Sequence, residues 1–307
     1  MIPGNPARRS VRSTGDSCAV PTAVRSVGAM VSGWAAPVCA ASRGSVSCWT
    51  EHREAPLIYD RTVTHLDLTS SASPDTATPA SRTLLIDAQA LERHAPLTGK
   101  ILLHPVSLQL YSGDRIAVTG PSGAGKSVLM RLLSLLDAPD SGHILWRGIP
   151  VERATILSYR RHVAYLKQRA AMLDGTVDDN LHAPFTLNIY RDLRYSRDTV
   201  LALLNAAGRD ATFLDKNASE LSGGEAQITA LIRVLQLEPT VLLLDEPTAS
   251  LDPASAAIVE RMVDSWFAAA PGRALAWVSH DPAQAARISN RAVQLQAGWV
   301  QTAEHAA

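Results

Sequence analysis

An eight-residue segment, Gly120-Pro-Ser-Gly-Ala-Gly-Lys-Ser127, has the residue types and spacing needed to bind phosphate. It matches the pattern G-x-x-x-x-G-K-[ST] and lies between an apolar run at 115–119 and a second one at 128–133. A strand, a glycine turn and a helix are therefore predicted in that order. The glycines let backbone N–H groups close around phosphate oxygens, and the helix N-terminus favours an anion. The alternative is a chance Gly/Ser turn, which would not need a strand before it and a helix after it.

The loop predicts which residues would bind a nucleoside triphosphate. Lys126 is expected to reach the β- and γ-phosphates, and the hydroxyl of Ser127 is expected to bind Mg²⁺. The rest of the loop is expected to surround the phosphates: Gly120, Pro121, Ser122, Gly123, Ala124 and Gly125.

Two adjacent acids end a second apolar run, Val241-Leu-Leu-Leu-Asp-Glu246. A continuous apolar run of this length is typical of a strand buried on both faces of a parallel sheet. Carboxylates at its end are costly unless they have a task there. In enzymes with a phosphate-binding loop the first acid, here Asp245, holds Mg²⁺, and Glu246 is placed to polarise the attacking water. The alternative is a turn, because Asp-Glu-Pro also starts turns.

A glycine-containing segment, Leu221-Ser-Gly-Gly-Glu-Ala-Gln227, lies between these two motifs. Ser222 can cap the helix that follows, and Gly223 and Gly224 allow another molecule's backbone to approach closely. Helix caps with glycine are common, so this segment by itself is a weak signal.

Taken together, the motifs over about 83–302 resemble those of ATP-binding cassette (ABC) ATPases. Segment 221–227 resembles the signature sequence of that family. The other matches are Gln168 after the run 163–166, Asp245-Glu-Pro-Thr248, Ser250-Leu-Asp252, and His280 after the run 275–279. Their order and spacing also fit the family.

The resemblance implies an ATPase that uses ATP and Mg²⁺. Glu246, His280 and Gln168 would be the catalytic residues, with His280 sensing the γ-phosphate. Ser127, Gln168 and Asp245 would hold the metal. Cassettes of this family act in pairs, so each nucleotide would lie between the loop of one subunit and residues Ser222, Gly223 and Gly224 of the other. A homodimer driving a separate multi-span membrane permease, at the cytoplasmic face of the membrane, is therefore expected.

Finer details are similar to the ATP-binding subunits of small bacterial iron exporters. The matching segments are 173–181 with Pro184-Phe185, then 230–233 and 275–281. Phosphate and cell-division cassettes share some of these features. Transport of another solute, or a regulatory, cell-division or other non-transport role, therefore stays open as an alternative.

Three positions depart from the family pattern. Glu225 replaces the commoner glutamine, and Ile228 stands where an arginine usually follows the signature. No clear aromatic residue precedes the cassette where adenine usually stacks. The nearest candidates are His94 and Leu97.

The predicted fold class is α/β, with a mainly parallel sheet. Strands near 241–245 and 274–278 alternate with helices near 254–269 and 282–288. Strands at 84–88 and 101–110 predict an antiparallel β subdomain. The mostly helical pattern after 178 corresponds to the family's small helical subdomain, at about 169–225.

The first 80 residues differ from the rest in composition. They are rich in Ser, Thr, Ala, Pro and Arg, so we expect either a disordered extension or a start codon assigned too far upstream. All three cysteines lie here, at a spacing unlike that of a zinc site: Cys18, Cys39 and Cys48. No run in the chain approaches the ~18 apolar residues of a membrane span. The formal net charge of +0 gives no sign of a nucleic-acid partner.

Overall fold

The computed structural model of the chain describes residues 82–305. The expected extension at 1–80 lies outside the described residues. Within them the chain forms two sheets with helices packed around the larger one. The strands are β1 (Leu84–His94), β2 (Ile101–Tyr111), β3 (Arg115–Thr119), β4 (Ser141–Trp146), β5 (Ile149–Pro150), β6 (Val163–Leu166), β7 (Val241–Asp245), β8 (Ala274–Val278), β9 (Arg291–Gln296) and β10 (Trp299–His305).

The helices follow the strands in alternation over the second half of the chain. They are α1 (Lys126–Leu133), α2 (Ile156–His162), α3 (Val177–His182), α4 (Arg197–Ala206), α5 (Gly223–Leu235), α6 (Pro253–Ala268) and α7 (Pro282–Ile288). Short 3-10 turns occupy Ala183–Thr186, Asn188–Tyr190, Ala211–Asp215 and Ala218–Glu220.

The larger sheet has the strand order β10-β9-β3-β8-β7-β6. β9, β3, β8, β7 and β6 are parallel to one another, and only β10 runs antiparallel, to β9. In this register Val278 lies opposite both Val118 and Asp245. The carboxyl ends of neighbouring strands therefore meet at one edge of the sheet, as predicted for this fold class.

Both faces of the larger sheet are buried, which explains the continuous apolar runs in its sequence. Along β7, Val241 and Leu243 join one hydrophobic core, whereas Leu242 and Leu244 join a second core on the other face. β8 alternates in the same way, and Trp277 is its largest contribution to the second core. The two-residue period of a strand thus divides one run of residues between two cores.

The smaller sheet is antiparallel, in the order β2-β1-β4-β5, and confirms the expected antiparallel region. Its apolar side chains join the first core together with those of α1. Helix α1 ends at Leu133, where the apolar run at 128–133 also ends. Leu135 has a left-handed backbone, φ 53°, which cannot continue the helix.

The region at about 169–225 is helical but not a continuous helix. α3 and α4 are separated by short 3-10 turns, and each begins at a side-chain cap, Thr176 and Ser196. Val177, Leu181 and Leu204 join the second core beside α5 and α6. The sequence did not reveal helix α2 or the β9–β10 hairpin.

Candidate active site

The phosphate-binding loop joins β3 to α1 and depends on left-handed glycines. Gly120, Gly123 and Gly125 have φ values of 137°, 76° and 101°, which residues with a Cβ rarely adopt. Gly120 lies against β9, where an added Cβ would collide with the carbonyl oxygen of Leu295. At Gly125 an added Cβ would lie 3.0 Å from the carbonyl oxygen of Leu102. The glycines therefore provide both the turn and the close packing.

Lys126 folds back over the loop that precedes it. Its Nζ donates to the carbonyl oxygens of Gly120, at 2.9 Å, and Pro121, at 3.0 Å. Burial lowers the pKa of Lys126, and the negative charges of Glu246 and Asp245 offset this only in part. The ammonium group is thereby held beside the backbone that would surround phosphate.

Ser127 and Asp245 come together although they are far apart in sequence. The Ser127 hydroxyl donates to Asp245 Oδ1 at 3.1 Å, and the Tyr165 hydroxyl donates to Asp245 Oδ2 at 2.9 Å. Burial, together with the neighbouring Asp245, raises the pKa of Tyr165. A hydroxyl and a carboxylate are the hard oxygen donors that Mg²⁺ prefers, so the two residues fit that ion. No sequence pattern singled out Tyr165, which is one residue of an apolar run.

Glu246 lies between the two other predicted catalytic residues. Gln168 Nε2 donates to Glu246 Oε2 at 3.0 Å, and His280 Nε2 contacts Glu246 Oε1. The backbone of Glu246 is left-handed, with φ 49°, and such a conformation costs roughly 1–3 kcal/mol in a residue with a side chain. The fold therefore holds this carboxylate in a specific, strained place. Gln168 contacts Glu246 rather than Ser127 or Asp245, which it was expected to join as a metal ligand.

These residues line one open cleft of about 690 Å³. Its lining includes Ser122, Gly123, Gly125, Lys126, Ser127, Gln168, Glu246 and His280. The other wall consists of 100–102 at the start of β2 and the turn Ala297-Gly298 of the β9–β10 hairpin. Gly298 N donates to the carbonyl oxygen of Ala124 at 3.0 Å, which fixes the hairpin against the loop. This wall was not predicted from the sequence.

Neither residue considered for adenine stacking is among the residues that line the cleft. The backbone N–H and the ring of His94 both contact the Asp140 carboxylate. Leu97 is 99% exposed in the turn between β1 and β2. The cleft lining does include apolar side chains, among them Ile101, which is 40% exposed.

The signature segment lies outside the cleft, at the start of α5. Ser222 and Gly223 are exposed. Ser222 Oγ accepts from Glu225 N at 3.2 Å, and Glu225 Oε2 accepts from Ser222 N at 3.0 Å, which is a reciprocal cap. Glu225 Oε1 also accepts from Lys216 Nζ at 2.8 Å.

The two departures in this segment have structural partners. Hydrogen bonds from the side chain of Lys216 and the backbone of Ser222 lower the pKa of Glu225 to about 2. The acid at this position is thus stabilised by the chain's own lysine. Ile228 is completely buried in the second core, so it contributes apolar packing where the family pattern has a charge.

The cleft and the fold define a nucleoside triphosphatase with a phosphate-binding loop. A family model described as "ABC transporter" matches residues 103–249. "Phosphate import ATP-binding protein PstB 2" of Natronomonas pharaonis is 37% identical over 218 residues, covering 66% of this chain and 74% of that protein. "Probable iron export ATP-binding protein FetA" of Escherichia coli (strain K12) is 36% identical over 180 residues, covering 59% and 78%.

A solved structure of the ATP-binding cassette MJ0796, a dimer bound to ADP and Pi, has the same fold, with a TM-score of 0.64 and 23% identity. The match covers 73% of this chain and 99% of that one. The chain belongs to the family of ATP-binding subunits of ABC transporters, and it is an ATPase.

The packing of Gly120 generates a first prediction. Gly120→Ala should destabilise the protein by about 2–4 kcal/mol, because the new Cβ meets a carbonyl of β9 and the backbone becomes strained. Gly123→Ala is the matched control, since an added Cβ there meets nothing within 4 Å and only φ is unfavourable, which costs ~1 kcal/mol. Urea unfolding without nucleotide measures both. An equal loss of unfolding free energy in the two variants would show that the clash with the carbonyl of Leu295 does not destabilise Gly120→Ala.

The ion pair at the signature helix generates a second prediction. Because the pKa of Glu225 is lowered on folding, its stabilisation is present above pH ~4.5 and is lost as the pH falls towards 2. Glu225→Gln should therefore be less stable than the parent by about 1 kcal/mol at pH 7, and the difference should shrink towards pH 3.

Thermal unfolding over this pH range measures the difference, with Glu220→Gln as the control at a nearby exposed acid. A difference that is independent of pH would exclude the ion pair as its source.

Proposed function

We propose that the chain pairs with a second copy around ATP and drives a separate membrane permease from the cytoplasmic face of the membrane. The observation that carries this proposal is the meeting of Gln168, Glu246 and His280 beside the phosphate-binding loop. A carboxylate held by a histidine and an amide, next to a phosphate site, suits the activation of water at a terminal phosphate.

In this proposal the phosphate-binding loop, Gly120 to Ser127, holds the triphosphate through its backbone N–H groups and Lys126. Mg²⁺, bound through Ser127 and Asp245 with Gln168 nearby, supplies charge neutralisation at the phosphate oxygens. Glu246 accepts the proton of the attacking water. His280 and Gln168 fix the direction of the Glu246 carboxylate and contact the γ-phosphate region.

The position of the signature segment supports the pairing of two copies. Ser222 and Gly223 are exposed, and neither they nor Gly224 line the cleft of their own chain. A second copy can place them against the nucleotide bound at Lys126. The similar cassette MJ0796 is itself a dimer.

A permease on a separate chain supplies the membrane part of the proposal. Residues 82–305 contain no helix of the length and apolarity needed to span a bilayer. Relatives are named for the transport of solutes, namely phosphate import and iron export. A non-transport role in regulation or cell division is the second candidate.

We further propose that the exported solute is a metal ion such as iron. The support is the resemblance at 173–185 and 275–281 and the relative named for iron export. Another relative is named for phosphate import, so phosphate or another solute is the competing possibility. The cleft itself does not discriminate between them, because it is built for the nucleotide.

The catalytic assignment is tested by Glu246→Gln. Glutamine keeps the shape of the side chain but cannot accept a proton, so the ATPase rate should fall by ~10²–10⁴-fold while ATP binding survives. The variant should accumulate as an ATP-bound dimer in size-exclusion chromatography with ATP and Mg²⁺. Phosphate release at the rate of the parent protein would show that Glu246 is not the base.

Lys126→Ala is the matched control for that variant. It removes the ammonium group that faces the phosphates, so nucleotide binding itself should weaken and the protein should stay monomeric under the same conditions. Dimerisation of Lys126→Ala on ATP would remove Lys126 from the binding site.

The solute is tested by deleting the gene. Cells without the protein should accumulate iron and become more sensitive to added iron or peroxide, and a plasmid copy should reverse both effects. The Glu246→Gln gene, supplied in the same way, should fail to reverse them. Unchanged cellular iron together with altered phosphate uptake would replace iron by phosphate in the proposal.

A further inference from the structure

We propose that Gln284 is a positioning residue that ties together the two segments carrying Glu246 and His280. This inference rests on the catalytic roles proposed above for those two residues. Gln284 belongs to α7 and does not line the nucleotide cleft. It acts on the reaction through its neighbours.

The amide of Gln284 joins three different elements. Its Nε2 donates to Thr248 Oγ1 at 2.9 Å, and Thr248 follows Glu246 by two residues. Its Oε1 accepts from Ser279 Oγ at 2.7 Å, and Ser279 immediately precedes His280. One side chain therefore links the loop after β7, which carries Glu246, to the loop after β8, which carries His280.

The third contact fixes the amide itself. Gln284 Nε2 also donates to Glu260 Oε1 at 2.8 Å, on α6. Arg287 binds both oxygens of Glu260, at 3.1 and 3.0 Å. Burial raises the pKa of Glu260, but hydrogen bonds from Arg287 and Gln284 outweigh it and lower that pKa. A charged acceptor thus holds the orientation of the amide.

The chemistry of this position requires an amide. Gln284 is 8% exposed, and it uses two donors and one acceptor at the same time. Glutamine provides both kinds of group on one terminal plane, whereas glutamate provides acceptors only. A glutamate here would also place a second negative charge against Glu260.

An open surface pocket of about 540 Å³ lies beside this network, and its lining includes Glu246, His280 and Gln284. Glu246 and His280 therefore have few packing neighbours on this side. We expect hydrogen bonds, rather than packing, to hold their positions there. Loss of the Gln284 amide should let the segments of Glu246 and His280 move independently. Nucleotide binding on the opposite side of the pair should remain.

The main test is Gln284→Ala in the full-length chain. We expect kcat for ATP to fall by about 10- to 100-fold, as small misplacements of catalytic groups do, while KM stays within about twofold. Gln236→Ala is the matched control. Gln236 is similarly buried, at 9%, and its amide binds the carbonyl of Leu181, away from the cleft. It should lower the melting temperature without lowering kcat per folded molecule.

A charge exchange provides the rescue. Gln284→Glu alone should be as slow as Gln284→Ala, because it cannot donate to Glu260 and repels it. Combined with Glu260→Gln, it exchanges amide and carboxylate between the two positions and restores a donor–acceptor pair, although residue 260 then keeps only one of its two hydrogen bonds from Arg287. The double variant should therefore recover part of kcat and be clearly faster than Gln284→Glu alone. Failure to recover, or an unchanged kcat in Gln284→Ala, overturns the proposal.

A readout independent of turnover separates this inference from the proposed function. The ring signal of His280 in an NMR spectrum, assigned by its loss in His280→Ala, should shift in Gln284→Ala and not in Gln236→Ala. If Glu246→Gln hydrolyses ATP normally, the catalytic assignment is wrong, and the His280 signal alone then decides whether Gln284 positions this segment. A His280 signal that is the same in all variants overturns the proposal.

Discussion

The parallel register of four strands is the constraint on which the site depends. β3, β8, β7 and β6 lie side by side. The first three end level with one another, at Val118, Val278 and Asp245, and β6 ends at Leu166, opposite Leu244. The functional residues follow within one or two positions: Gly120 after Val118, His280 after Val278, Glu246 after Asp245, and Gln168 after Leu166. Segments spread over 160 residues of sequence therefore reach the same edge because backbone hydrogen bonds align the strands. Burial of both sheet faces fixes that alignment, because a strand that slipped by one residue would turn each of its side chains to the opposite face of the sheet and into the wrong core.

This edge collects charges that would be costly if they were unpaired. Asp245 is buried and accepts hydrogen bonds from Ser127 and Tyr165, and both oxygens of Glu246 have a contact. Lys126 binds carbonyl groups of its own loop. Each of these polar groups thus has a hydrogen-bond or charge partner within the protein. Gln284 continues this network behind the loops that carry Glu246 and His280, where it binds Thr248, Ser279 and Glu260.

The sequence predicted those parts of the structure that depend on short motifs or on the order of strands and helices along the chain. The phosphate-binding loop, the two acids at the end of β7 and the cap at Ser222 each have a short-range physical signature, and the parallel sheet follows from the alternation of strands and helices. Tyr165, Gln284 and the Ala297-Gly298 wall could not be predicted in this way, because their partners are distant in sequence. Each is an ordinary residue of an apolar run, a helix or a turn. His94 and Leu97 were candidates for adenine stacking only because they are near in sequence to the usual position, and neither lines the cleft.

The reciprocal cap at Ser222 and Glu225, tightened by Lys216, has a consequence for association. A surface that must meet a partner loses affinity for every rotamer and loop that has to be ordered on contact. Here the exposed tip of α5 is already rigid, because backbone, hydroxyl, carboxylate and ammonium groups constrain one another. Contact at this tip would therefore cost little conformational entropy. In the pair of copies proposed above, the nucleotide between the two molecules would then set the equilibrium between separate and paired forms, because the signature surface needs little ordering before contact.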